Sequence, residues 1–356
     1  MRDPHPHRWA AVAAMLLLAA TVATAAIAAT APATPAASAP AATPATPATP
    51  PSPVSGIRNK LAAGDLLSAE SILEVHREKY GEDGPWLLGL GWLSRGAVLL
   101  GDTAKARRYA NETRTAVTKR LAGKPLDQDK DAENALGAAI EVEAQLLEKR
   151  RDSKAAVALL QKELAAHAGP AAFRSRLYKR LNMMTLVGQP APELKVEDYL
   201  LQERGPDGEE GLSTDDVLRH NWSVAADQMI TGAKGRPLIL FLWAEWCGDC
   251  RAQAASLARV LKRHRAEGLL ARAITRWYEP PESLTTEKAR ALREWGKHYE
   301  ELGDTPRIVS TESMVRYGAS ATPTFVFIDR KGIVRRYTPT RLSEEELERS
   351  VALILR

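Results

Sequence analysis

Only two cysteines occur in the 356 residues, Cys247 and Cys250, and their surroundings limit what this part of the chain can become. The stretch Leu238 to Gln253 reads LILFLWAEWCGDCRAQ. Its apolar run ends at Trp246-Cys247-Gly248-Asp249-Cys250, after which Ala254, Leu257, Ala258 and Leu261 recur at helical spacing. A buried strand running into a helix is predicted, with Cys-X-X-Cys at the junction. With no other cysteine to compete, the two pair with each other or with a substrate. A zinc half-site is the alternative, but zinc wants four ligands, and His76, His167, His220, His264 and His298 stand singly without matching spacing. No metal is expected, and no cofactor beyond the Cys247–Cys250 pair.

Disulfide exchange needs an accessible thiolate, a leaving thiol and a second thiol near enough to resolve the mixed disulfide. Two intervening residues on the first turn of a helix supply that geometry. Cys247, at the helix start, meets unpaired backbone N–H groups and the positive end of the helix dipole, both of which favour a thiolate. Cys247 is therefore the expected nucleophile, and Cys250, one turn in and more buried, the resolving thiol.

The N-terminus bears on where this chemistry operates. Arg2 and Arg8 precede Trp9 to Ala29, an uncharged stretch with Met15-Leu16-Leu17-Leu18 that ends in small residues. Residues 1–30 read as an export signal, with Ala23-Thr24-Ala25 and Ala26-Ile27-Ala28 both fitting a cleavage site, or as an uncleaved anchor. Either reading places the bulk of the chain outside the cytoplasm, in the periplasm or another extracytoplasmic space. There a dithiol needs its own supply of electrons. The 49 cationic and 44 anionic residues, formal net charge +5, are interspersed rather than clustered, which argues against a nucleic-acid partner.

Residues 31–55, nearly all Ala, Pro, Thr and Ser, form an extended tether. Residues 56–186 show helical periodicity without a convincing strand. Turns are expected at Gly64-Asp65, Gly101-Asp102 and Arg151-Asp152. Three helical hairpins side by side would resemble a degenerate tetratricopeptide-like (TPR-like) array, either plain scaffold or a groove for a protein partner. From residue 187 the pattern changes. Gly188-Gln189-Pro190-Ala191-Pro192 opens a domain spanning 187–356, with a polar surface insertion at 201–236. Further strands are predicted at Leu269 to Thr275, Arg307 to Ser310 and in a hairpin from Thr324 to Tyr337. Helices are predicted at Thr286 to Leu302, at Thr311 to Tyr317 and, behind a Ser343/Glu346 capping box, through Leu355. The whole reads as an α/β domain, a mixed sheet flanked by helices, preceded by an all-α domain.

Trp246-Cys247-Gly248-Asp249-Cys250 after a buried strand, with Ala321-Thr322-Pro323-Thr324 before a later one, resembles the thioredoxin fold. The Gly188 to Pro192 entry and the helix inserted at Thr286 to Leu302 are similar to the TlpA/ResA-like exported thiol-disulfide oxidoreductases. The resemblance implies that Pro323 is a cis-proline facing the cysteines, that the Thr322 backbone pairs with the substrate chain, and that Trp246 forms an apolar wall beside the reactive sulfur. Three residues depart from the family. Asp249 replaces a usual proline, and its charge should oppose the Cys247 thiolate by on the order of one in pKa, moving the couple toward reductant. Phe241 stands where thioredoxins often carry a buried acid, and Gln253 where many ResA-like proteins have Glu. Glu245, Gly248, Asp249 and Gln253 are thus the candidate tuning residues, with Glu245, Asp249 or water as proton acceptor for Cys250.

The expected function is an extracytoplasmic protein-disulfide reductase recharged by a membrane thiol donor. A disulfide oxidase or isomerase stays open, as does a helical-repeat adaptor whose thioredoxin-like domain only docks partners. The Cys-X-X-Cys pair in place of a lone peroxidatic cysteine argues against a peroxiredoxin.

Overall fold

The computed structural model describes residues 51–200, 235–303 and 305–356. The expected export signal, most of the expected tether and nearly all of the expected 201–236 insertion lie outside the described residues. Pro50–Arg356 forms one compact unit. Among the described residues no helix is long and apolar enough to cross a membrane.

Seven helices come first: α1 (Val54–Ala62), α2 (Leu66–Tyr80), α3 (Gly84–Leu99), α4 (Thr103–Leu121), α5 (Lys130–Lys149), α6 (Ser153–Ala166) and α7 (Ala171–Thr185). Asp65, Asp83, Asp102, Asp129 and Asp152 cap α2 to α6, each carboxylate accepting backbone N–H groups of the first turn. Helix α1 already begins at Val54, because the Pro53 carbonyl accepts the Ile57 N–H and so opens the first turn. Ile57, Leu73, Leu90, Leu93, Ile140 and Leu160 are among the residues of their common core.

The second part is a six-stranded mixed sheet of order β1-β4-β3-β2-β5-β6. Its strands are β1 (Asp198–Tyr199), β2 (Leu238–Leu242), β3 (Leu270–Thr275), β4 (Arg307–Val309), β5 (Thr324–Ile328) and β6 (Val334–Thr338). Strand β2 is central, parallel to β3 and antiparallel to β5, and all five of its residues are buried, as its unbroken apolar sequence requires. Its side chains alternate between two cores. Ile239 and Phe241 join α8 (Gly248–Arg263), α9 (Leu284–His298) and α11 (Glu344–Leu355). Leu238, Leu240 and Leu242 join α10 (Thr311–Arg316), Tyr317 and, from the end of the helical region, Leu186. The α/β fold is thioredoxin-like, and the Ser343/Glu346 capping box is present in full.

Three details differ from the sequence expectation. Val54 and Ser55, expected in the tether, are the first residues of α1. The inserted helix, expected at Thr286 to Leu302, starts at Leu284 and ends at His298, where a 3-10 turn over Glu300–Leu302 and Gly303 (φ 53°) redirects the chain. Strand β1 had no sequence signal. Two residues carry no period, and they are extended because they pair with Val309 and Ile308 of β4.

Candidate active site

The chain leaves β2 at Leu242 through Trp243-Ala244-Glu245-Trp246 and enters α8 at Cys247. Cys247 has extended geometry at the N-cap (φ −78°, ψ 103°), and its Sγ accepts the Cys250 N–H at 3.0 Å, in the place of a capping oxygen. Cys247 and Cys250 form a disulfide with Cα atoms 5.2 Å apart. Cys247 retains 4% of its surface while Cys250 is fully buried. If either sulfur is attacked from solvent, steric access favours that of Cys247.

The Thr322–Pro323 bond is cis. Register puts Thr324 opposite Leu242, so the cis-proline precedes β5 at the same end of the sheet from which Trp243 departs toward the disulfide. Trp246 is 58% exposed and meets the Tyr278 ring edge-on at 5.6 Å; it is a surface side chain rather than a core one. Burial pushes the Tyr278 hydroxyl up to about 12, so the ring beside Trp246 stays neutral. The loop that carries Tyr278 is fixed by buried Glu287 of α9, whose carboxylate accepts the N–H groups of Tyr278 (2.7 Å) and Glu279 (3.1 Å). Sequence reading missed Glu287, since a lone acid on an amphipathic helix reads as solvated.

The four candidate tuning residues occupy different settings. Buried Glu245 accepts Nε and Nη2 of Arg290 at 3.0 and 2.9 Å, which ties the approach to the cysteines to α9. Gly248 opens α8. The Asp249 carboxylate is exposed, 3.6 Å from the Arg341 guanidinium. Gln253 is buried with both ends of its amide engaged, Nε2 donating to Ser256 Oγ (2.8 Å) and Oε1 accepting the Leu342 N–H (2.7 Å). It clamps α8 to the segment that leads into α11. Beneath the disulfide, Phe241 packs on Phe325 with ring centroids 5.3 Å apart. Trp243, Trp295 and Tyr299 form an aromatic cluster with centroid separations of 4.9 to 5.1 Å. The floor of the site is hydrocarbon where related folds often place an acid. Among the described residues no group of three or more His, Cys, Asp or Glu is arranged to hold a metal.

Since Asp249 is solvated and lies near a guanidinium, its effect on Cys247 should be smaller than its place between the cysteines suggests. In the reduced protein, Asp249→Asn is expected to lower the apparent pKa of Cys247 by less than about 1, an effect that shrinks further with added salt. Ultraviolet thiolate absorbance against pH measures it. A drop well above 1 would mean that Arg341 does not screen the carboxylate.

Residues 187–337, less than half of the chain, match the model of the AhpC/TSA family. No curated protein matches this chain. Solved structures with similarity include a secreted Mycobacterium tuberculosis disulfide oxidoreductase homologous to E. coli DsbE, at 22% identity and TM-score 0.28, covering 34% of this chain and 84% of that one. A thioredoxin-family thiol:disulfide interchange protein from Chlorobium tepidum aligns at 19% identity and TM-score 0.30, covering 48% and 97%. StoA from Bacillus subtilis aligns at 18% and 0.26, covering 33% and 83%. The matched region contains nearly all of the mixed sheet, the Cys247–Cys250 disulfide and the Thr322–Pro323 cis bond, so the cysteine pair and the cis-proline both lie within it.

Proposed function

We propose that the protein reduces protein disulfides outside the cytoplasm. The observation that carries this reading is the position of the disulfide. Its less buried sulfur, Cys247, occupies the N-cap of α8, where a backbone N–H already points at it. In the reduced protein that N–H and the helix dipole stabilise a Cys247 thiolate. The thiolate attacks one sulfur of the substrate disulfide, and the other sulfur leaves as a thiol. The Cys250 thiol, deprotonated, then attacks the Cys247 sulfur of the mixed disulfide, which releases the second substrate thiol and closes Cys247–Cys250. Two electrons have passed to the substrate, and an exported dithiol donor at the membrane returns them.

In this scheme Trp246 and the Thr322–Pro323 edge hold the substrate chain. Gly248 lets α8 start without a side chain in the groove, and Asp249 biases the couple toward reductant. The Glu245–Arg290 and Gln253–Leu342 bonds fix the two ends of the cysteine segment. The Gln253 amide, engaged at both ends, leaves Glu245, Asp249 or water as the proton acceptor for Cys250. No cofactor is required beyond the cysteine pair. Residues 1–30 direct export or anchor the chain, the segment up to residue 53 tethers it, and 54–186 form the helical domain with room for a protein partner. Residues 187–356 form the redox domain, with 201–236 as its surface insertion.

The reduction potential of the Cys247/Cys250 couple tests the direction. A value near that of thioredoxin, about −270 mV, is expected; one above about −180 mV would instead make the protein an oxidase or isomerase. Equilibration with glutathione or dithiothreitol buffers of known ratio gives it directly.

A further inference from the structure

A close backbone contact between the helical region and the redox domain lies just upstream of the cis-proline. Gly318 has φ +69°, and a Cβ there would fall 2.3 Å from the Lys179 nitrogen, 2.4 Å from its Cα and 2.8 Å from the Tyr178 carbonyl carbon. Helix α7 therefore rests directly on the bare backbone of Gly318. Beside it Asn182, only 6% exposed, donates Nδ2 to the Arg316 carbonyl at 2.9 Å. The Arg316 guanidinium lies 5.5 Å from the Tyr178 ring centroid and donates to its hydroxyl at 3.2 Å, and Arg174 stands 3.6 Å from Glu312. Helix α7 is itself held to the helical core by Lys179 and buried Glu141, 3.0 Å apart.

Short links continue from this contact to the cis-proline. The Ala319 N–H donates to the Met314 carbonyl (2.8 Å), the Ser320 N–H to the Gly318 carbonyl (2.8 Å) and Thr324 Oγ1 to the Ala321 carbonyl (2.7 Å). Residues 319–323 are thus pinned by α7 at one end and by β5 at the other. Freedom gained at either pin reaches Thr322.

We infer that α7 positions the Thr322–Pro323 edge of the substrate groove, with Asn182 and Gly318 as positioning residues, so that the helical region takes part in recognising protein disulfides. The inference rests on the reading of Thr322 and Pro323 as substrate-binding residues. A protein substrate that pairs with the Thr322 backbone must find that edge already ordered, or its binding must supply the ordering entropy. A small disulfide needs only the Cys247 sulfur and is indifferent to the edge.

The full chain, reduced, is assayed with insulin and with hydroxyethyl disulfide. Asn182→Ala should slow insulin reduction about three- to tenfold, the loss expected for one hydrogen bond. Its rate with hydroxyethyl disulfide and the potential of the couple should stay at the wild-type values. Gly318→Ala, which forces the two backbones apart, should show the same split with a larger loss. Equal losses on both substrates, or none on either, would overturn the inference. Pro323→Ala separates it from the reading beneath it. If that variant leaves insulin reduction unchanged, the substrate-binding edge itself is misplaced. If Pro323→Ala slows insulin and Asn182→Ala does not, only the role of α7 falls.

Discussion

Cys247→Ser is expected to abolish insulin reduction, and Cys250→Ser to leave a protein that attacks once and stays bound. Both outcomes follow from the unequal settings of the two sulfurs. Cys247 has the exposed edge and the N–H of residue 250; Cys250 has neither solvent nor a route to substrate. A serine hydroxyl at 247 is not ionised at neutral pH, so attack should fall to background. With serine at 250 the mixed disulfide still forms, but its resolver is gone. In the native protein that resolver is held against the Cys247 sulfur, and effective molarities for such intramolecular steps reach on the order of 10⁵ M or more. Without it, release waits for an external thiol, and the adduct should accumulate as a heavier band on a non-reducing gel. Trapping by Cys247→Ser in place of Cys250→Ser would reverse the assigned roles.

The largest stability effect is expected far from the cysteines, at Glu141 of α5. Its buried carboxylate stands 2.5 Å from Arg95, 3.0 Å from Lys179 and 3.9 Å from Arg176, three cations drawn from α3 and α7. Burial pushes the Glu141 carboxyl up, but the charges of Lys179, Arg95 and Arg176 together outweigh it and hold the group below its ordinary 4.5. Burial, and then the charge of Arg95, pushes the Arg176 guanidinium down, as an excess of positive charge should. Glu141→Gln keeps the shape but removes the anion that Arg95, Lys179 and Arg176 share, leaving Glu133 near Arg176. Removing one member of a buried charged cluster costs roughly 3 kcal/mol at the low end of the usual range. That corresponds to a melting temperature lower by about 6 °C, read by calorimetry. The sign with pH is fixed. A carboxylate whose folded-state pKa is depressed contributes its stability above the unfolded value, here near 4.5, and loses it as pH falls through the folded value. The gap between wild type and variant should therefore be full at neutral pH and close progressively below about 4.5. A gap that does not change with pH would mean that packing, rather than charge, accounts for the loss.

The junction of β2 with α8 was legible because two periodicities meet there, a continuous apolar run and a stripe at three and four residues. The terminal helix was legible because Ser343 and Glu346 form a local signal that needs no tertiary partner. What escaped depended on distant contacts. Asp198 and Tyr199 became a strand only because β4 offered an edge. Gln253 stood out because the resemblance to ResA-like proteins implied Glu there, whereas the Leu342 N–H that occupies its amide oxygen comes from 89 residues away. Gly318 follows a short helix, and nothing near it in sequence tells of the α7 backbone lying on it.

Leu186, just past the end of α7, shares an apolar cluster with Met314 and Tyr317. The surface of the C-terminal half that meets this residue is therefore apolar and covered in the intact chain. A graft beginning at residue 187 would arrive with an uncovered tyrosine face and an Arg316 carbonyl without its donor, and any new neighbour would have to supply both.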